Sequence, residues 1–128
     1  MNRRRPHILL VEDYHANILV ATAMLEGFGY DCSVAKDGRE ALDLVKNQSF
    51  DLVLMDVQMP DMDGFEATRV IRQWHKEQGT PHLPIIAMTA HALVGDRERC
   101  LEAGMDDYIA KPFEPDDFKS KLERYLGE

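Results

Sequence analysis

Leu52-Val53-Leu54-Met55-Asp56-Val57-Gln58-Met59-Pro60-Asp61-Met62-Asp63-Gly64 decides how the rest of the chain is read. Leu52 to Met55 is an uninterrupted apolar run, the pattern of a strand covered on both faces of a sheet. It stops on a carboxylate, Asp56, and passes into a loop marked by Pro60 and Asp63-Gly64. Open α/β sheets bind ligands beyond the carboxyl ends of their strands, so Asp56 stands where such folds do chemistry. Taken alone, an aspartate there reads equally as a helix or turn cap.

On either side of this stretch, strands and helices alternate. His7-Ile8-Leu9-Leu10-Val11 is a second buried run and ends on Glu12-Asp13. Ile18, Ala21, Leu25 and Phe28 follow at helical spacing, with Gly27 and Gly29 closing the helix. Tyr30 to Ala35 has the mixed polarity of a strand near a sheet edge. Asp37-Gly38 turns the chain into a helix running to about Gln48, with Ala41, Leu44 and Val45 facing inward. Beyond the anchor strand, a helix opening near Gly64 presents Ala67, Val70, Ile71 and Trp74. The loop from Gln78 to Pro84 leads to Ile85-Ile86-Ala87-Met88, a buried strand ending on Thr89. The next helix, about His91 to Ala103, offers only Leu93, Cys100, Leu101 and Ala103 for burial and carries Gly95, which costs roughly 1 kcal/mol relative to Ala. Tyr108-Ile109-Ala110 is a short strand entering Lys111-Pro112, and a last helix carries Phe118, Leu122, Tyr125 and Leu126. Strands joined by helical crossovers are parallel and wound right-handed. The expected fold is therefore a five-stranded doubly wound parallel α/β sheet, helices on both faces, in the flavodoxin-like order 2-1-3-4-5.

The 128 residues suit one domain, with residues 1–6, including Arg3-Arg4-Arg5, expected to be a flexible basic tail. Apolar content of 45% with 30% charged residues describes a globular protein and excludes a disordered one. A net charge of −8 argues against a nucleic-acid partner, because phosphate contacts need a basic face. The run Ile8 to Val11 is too short for a membrane span or a signal sequence, so direct membrane contact is not expected. Cys32 and Cys100 lack metal-type spacing and read as reduced thiols of a cytoplasmic protein.

In a parallel sheet the strand ends share one edge, which gathers Glu12, Asp13, Asp56, Thr89 and Lys111. Judged singly, each has a plain alternative: Asp13 and Thr89 as helix caps, Lys111 as a loop lysine, Pro112 as a helix start. Their convergence is harder to dismiss. Two carboxylates about 4 Å apart repel by on the order of 4 kcal/mol at an effective dielectric of 20, and Lys111 supplies one compensating charge. An oxygen-only donor set favours Mg²⁺ (or Mn²⁺), and no His or Cys stands at zinc spacing. With such an ion present, Asp56 can act as a nucleophile forming an acyl phosphate, while Thr89 and Lys111 share the phosphoryl charge.

The sequence is similar to the receiver domains of two-component response regulators. The matching residues are Val11-Glu12-Asp13, Leu54 to Pro60, Asp63-Gly64, Met88-Thr89-Ala90 and Asp107 to Pro112, and the similarity runs from about His7 to Leu126. The resemblance implies that Asp56 is the phosphoacceptor of a phosphorelay. It implies that Asp13 and Asp56 bind the metal directly, that the Gln58 backbone carbonyl is a further ligand, and that Glu12 acts through water. It further implies contacts from Thr89 and Lys111 to the phosphoryl group, a cis peptide between Lys111 and Pro112, and Tyr108 at an aromatic switch position. The runs Pro84 to Ala92, Gly95 to Glu98 and Cys100 to Tyr108 most resemble receivers fused to hybrid sensor histidine kinases. Such receivers exchange phosphoryl groups with a histidine kinase or a histidine phosphotransfer domain, as monomers or within a membrane-anchored kinase. Tyr14 departs from the Asn that many relatives carry, placing a bulky ring at the rim. Gln58 and His91, each two residues past a rim residue, are expected to flank the path of hydrolytic water and set the phosphoryl lifetime. Phosphorylation is expected to draw in Thr89, turn Tyr108 inward and reshape the face of the fourth helix, last strand and last helix. The chain would then catalyse only its own phosphorylation and dephosphorylation.

Three other readings share parts of this pattern. A flavin carrier of the same architecture needs a glycine- and hydroxyl-rich loop where Glu12-Asp13-Tyr14-His15 stands. An aspartate-nucleophile phosphatase of the haloacid dehalogenase type places a second acid where Gln58 stands. A degenerate receiver that only docks partners would not need the full acidic set.

Overall fold

The computed structural model describes residues 5–57, 59, 63–89, 94–111 and 113–127, with the backbone alone at 94–97. Gln58, His91 and Pro112, and with them the Lys111–Pro112 peptide, lie outside the described residues, as does Leu93. The elements are β1 (His7–Val11), α1 (His15–Gly27), β2 (Asp31–Ala35), α2 (Gly38–Asn47), β3 (Leu52–Asp56), α3 (Gly64–Gln78), β4 (Ile85–Thr89), α4 (Val94–Ala103), β5 (Asp107–Ala110) and α5 (Pro115–Leu126). All pairings are parallel and the strand order is β2-β1-β3-β4-β5, with β2 at an edge as its mixed polarity implies.

The period-2 alternation of strand side chains divides the apolar runs between two cores. Leu9, Val11, Val53, Met55, Ile85 and Ala87 pack with Ala41 and Val45 of α2, Ala67 and Ile71 of α3, and Cys100 and Ala103 of α4. Ile8, Leu10, Leu52, Leu54, Ile86 and Met88 pack with Ala21 and Leu25 of α1 and with Phe118 and Leu122 of α5. Each such large side chain contributes roughly 1.5–3 kcal/mol when fully buried. Continuous apolar runs are thus explained: both faces of every inner strand are covered.

Helix starts follow local chemistry. Asp37 caps α2 by accepting from the Glu40 N–H at 2.8 Å, and Asp63 caps α3 by accepting from Glu66 N–H at 2.9 Å. α1 begins after Tyr14, which makes no side-chain cap, so Asp13 is not spent on that helix. Leu101, expected to be inward, is 53% exposed. Cys100 and Ala103 form the inward i, i+3 pair of α4, and a residue one step from Cys100 is turned about 100° away. At the junction of α3 with the β4 and β5 starts, the Arg72 guanidinium donates to the Gly104 carbonyl at 2.8 Å, the Leu83 carbonyl at 2.6 Å and Asp106 Oδ2 at 2.8 Å.

The first turn of α3 is pressed against the end of β3. A Cβ on Gly64 would lie 2.3 Å from the Asp56 carbonyl oxygen and 2.8 Å from Val57 Cα, both backbone atoms that cannot swing aside. Gly64→Ala is therefore expected to destabilise the fold by about 1–3 kcal/mol, the usual cost of overpacking. Urea denaturation measures it, and a loss within error of zero would show that this contact relaxes freely.

Candidate functional site

Strand register carries the polar rim. β1 and β3 pair Val11 with Met55, so Glu12 and Asp56 follow side by side. β4 and β5 pair Thr89 with Ala110, and the Lys111 N–H donates to the Thr89 carbonyl at 2.8 Å. The ladder also continues past β1, where Glu12 N–H donates to the Ala35 carbonyl at 2.9 Å, and past β3, where Val57 N–H donates to the Met88 carbonyl at 3.2 Å. These bonds fix the backbone on both sides of the acids.

Glu12, Asp56 and Thr89 are buried at 1%, 4% and 1% exposure, whereas Asp13 faces solvent. Carboxylate oxygens of Glu12, Asp13 and Asp56 lie within 4.8 Å of one another. The Lys111 ammonium, 99 residues from Glu12, donates to Glu12 Oε1 at 2.7 Å and lies 3.4 Å from Asp56 Oδ1. Burial would push the Glu12 carboxyl up, but the bond from Lys111, contact with Asp56 and the Tyr14 backbone N–H at 3.2 Å together hold it below its ordinary value. Three acids facing one ammonium leave negative charge uncompensated, and a hard divalent cation with oxygen ligands is what such a cluster fits. Glu12, Asp13, Asp56, Thr89 and Lys111 are thus brought together. Tyr14, 63% exposed, stands at the rim beside them. A cleft of about 590 Å³ at the opposite end of the sheet, lined by Phe50, Trp74, His75 and His82, contains none of these residues.

Residues 8–123 match the family described as the response regulator receiver domain. The chain belongs to that family. Its sequence is 45% identical over 112 residues to the sensor protein GacS of Pseudomonas syringae pv. syringae, covering 88% of this chain. It spans only 12% of that sensor protein's length. The receiver domain of the sensor histidine kinase PA1611 from Pseudomonas aeruginosa PAO1 superposes with a TM-score of 0.87 at 44% identity, covering 98% of this chain and all of that one. That receiver was crystallised with a magnesium ion coordinated in its active-site cleft. The receiver domain of Saccharomyces cerevisiae Ssk1, solved in complex with the histidine phosphotransfer protein Ypd1, superposes with a TM-score of 0.91 at 27% identity, covering 99% of this chain and 92% of that one. The chain is therefore a two-component receiver, related to those of hybrid sensor kinases. Among the described residues, no helix is long and apolar enough to cross a membrane.

Tyr108 sits on β5 away from the acids, partly buried against the core of α2, α3 and α4. Around it is a cluster that periodicity and motif reading do not reveal. Asp107 Oδ1 accepts from the Lys121 ammonium and from the Tyr108 N–H, both at 2.8 Å, and Asp107 Oδ2 accepts from the Tyr125 hydroxyl at 3.0 Å. Burial would raise the Asp107 carboxyl, yet these donors hold it below its ordinary value. The sequence shows an acid opening β5, within the matching motif, and a lysine on α5, but not that the two pair, because each looks like surface charge.

Because the acids crowd each other, Asp56→Asn should raise stability by about 1 kcal/mol in EDTA, where no cation offsets the repulsion. Thermal or urea unfolding of both chains in EDTA checks this. A destabilised variant would show that Lys111 already balances the cluster.

Proposed function

We propose that this receiver accepts a phosphoryl group on Asp56 in an Mg²⁺- or Mn²⁺-dependent reaction, and that the modified site reshapes the face of α4, β5 and α5. The observation that carries the reading is the convergence of Lys111 on Glu12 and Asp56 at one buried rim. Asp13, Asp56 and the Gln58 backbone carbonyl would hold the ion, with Glu12 acting through water. When bound, the ion offsets the acids' charge and draws charge from the phosphoryl oxygens. The chain's own residues do the rest. An Asp56 carboxylate oxygen attacks phosphorus in line, forming the P–O bond as the donor's P–N bond breaks. The donor imidazole, its other ring nitrogen protonated, keeps that electron pair and leaves as neutral imidazole. Lys111 turns part of its charge toward the phosphoryl oxygens, and the Thr89 hydroxyl donates to one of them. Hydrolysis reverses the state: water attacks phosphorus, the Asp56 carboxylate is regenerated, and inorganic phosphate departs. Gln58, His91 and, at the rim, Tyr14 modulate the rate of that step. No separate substrate is turned over.

The donor is a histidine phosphotransfer domain or a histidine kinase, and α1 is the surface suited to meet it. Tyr14, just before α1, and Leu19 and Val20 on it are exposed apolar side chains at 63%, 56% and 55%. Exposed apolar groups near a site suit a contact surface, and a phosphohistidine must come close to Asp56 to react. The Ypd1 complex of the related Ssk1 receiver supports this partner class.

Incubation with acetyl phosphate and Mg²⁺ should add one phosphoryl group by intact-mass spectrometry, and none to Asp56→Asn or in EDTA. Modification of the Asn variant would place the acceptor elsewhere; absence of any modification would favour a docking-only receiver. The switch has its own test. Thr89→Ala should retain phosphorylation while beryllofluoride no longer shifts the Tyr108 ring resonances, and full shifts in that variant would break the proposed link between Thr89 and Tyr108.

A further inference from the structure

The Tyr108 ring is held from α5 by one side chain. The Lys121 ammonium stands 4.6 Å from the centre of that ring, donates to the Tyr108 carbonyl, and pairs with Asp107 Oδ1 at 2.8 Å. Asp107 Oδ1 in turn accepts from the Tyr108 N–H, so the polar groups on both sides of the Tyr108 Cα are tied to the same ion pair. Lys121 and Asp107 side chains are only 26% and 13% exposed, unlike the neighbouring Arg124, which is 68% exposed and 3.6 Å from Asp107 Oδ2. An exposed pair such as Arg124–Asp107 contributes little, whereas a partly desolvated cation on an aromatic face has a definite orientation preference.

We infer that Lys121 is a positioning residue that holds the Tyr108 ring in the pose seen here, against the Lys121 ammonium, and thereby sets how readily the domain switches. This rests on the reading of Tyr108 as the switch residue given above. The backbone bonds to Lys121 and Asp107 hold β5 whichever way the ring points. The ring contact alone would be lost were the side chain to turn toward Thr89. A cavity of about 200 Å³ lined by Cys100, Leu101, Tyr108 and Tyr125 leaves the neighbouring α4–α5 groove open, so the ring's pose is not fixed by dense packing there. Lys121 therefore biases a population without being needed for the fold.

Lys121→Met keeps the aliphatic stem and removes the cation; Lys121→Arg keeps a cation able to stack on the ring. In the chain carrying ¹³C-labelled tyrosine, the Met variant should raise the ratio of the Thr89-facing pose of Tyr108 to the pose seen here roughly two- to fivefold, the lower end of what a cation–π contact is worth. The beryllofluoride concentration giving half response, with Mg²⁺ present, should fall by the same factor. The Arg variant should return both towards the unaltered values, which a merely structural loss would not allow. Should the stranded Asp107 carboxylate unfold the Met variant, Asp107→Asn/Lys121→Met removes that charge and must show the same shift. An unchanged ratio in folded Met or double variants, while beryllofluoride still turns Tyr108 in the unaltered chain, overturns the role of Lys121 alone. No movement of Tyr108 in the unaltered chain overturns both this role and the switch.

Discussion

The reach of Lys111 to Glu12 and Asp56 is the constraint on which the structure depends. It joins the end of β5 to the ends of β1 and β3 across 99 residues of sequence, and it does so at a buried edge. A lone buried Glu12 would be costly to keep ionised, and removing one partner of such a pair typically costs about 3–5 kcal/mol. The pair forms only if β5 lies on the β4 side of the sheet with its carboxyl end level with the others, as the register Thr89 to Ala110 provides. Yet the ammonium does not neutralise the rim. Asp13 and Asp56 remain crowded beside Glu12, and that residual charge makes the site receptive to a cation and, in the proposed reaction, then to a phosphoryl group.

The rest of the fold isolates this electrostatic problem. Alternate strand residues fill two apolar cores, α1 and α5 on one side and α2, α3 and α4 on the other, so polar side chains from β1, β3 and β4 leave the sheet at its carboxyl edge. Gly64 packs so closely on the Asp56 carbonyl that the α3 side leaves no room there even for a Cβ. By contrast, α4 turns one narrow face inward, and the β5–α5 seam is polar, built on Asp107, Lys121 and Tyr125. A site held by backbone bonds beside a polar seam is the arrangement that the proposed switch needs.

Much of this was legible in the residues. Strands β1, β3 and β4 announce themselves because burial on both faces demands unbroken apolar runs, and the crossover rule then orders the sheet. Glu12, Asp13, Asp56, Thr89 and Lys111 could be gathered on one rim by topology alone. Leu101 was misjudged because the few apolar residues of α4 do not define a unique inward face; Cys100 and Ala103 do that in three dimensions. Arg72 and Lys121 gave no signal, and Asp107, though part of the matching motif, gave none of its partners, since a charged residue destined for a long-range carbonyl or carboxylate looks like any solvated one. The reason for Gly64 was also hidden: a turn glycine and a glycine against backbone are the same letter.

The central claim is geometric, and a crystal structure of the chain with Mg²⁺ and beryllofluoride tests it most directly. The account predicts beryllium bonded to an Asp56 carboxylate oxygen, with Lys111 Nζ and Thr89 Oγ at hydrogen-bonding distance from its fluorines. An adduct on another residue, or one on Asp56 with Lys111 still turned wholly to Glu12, would contradict it.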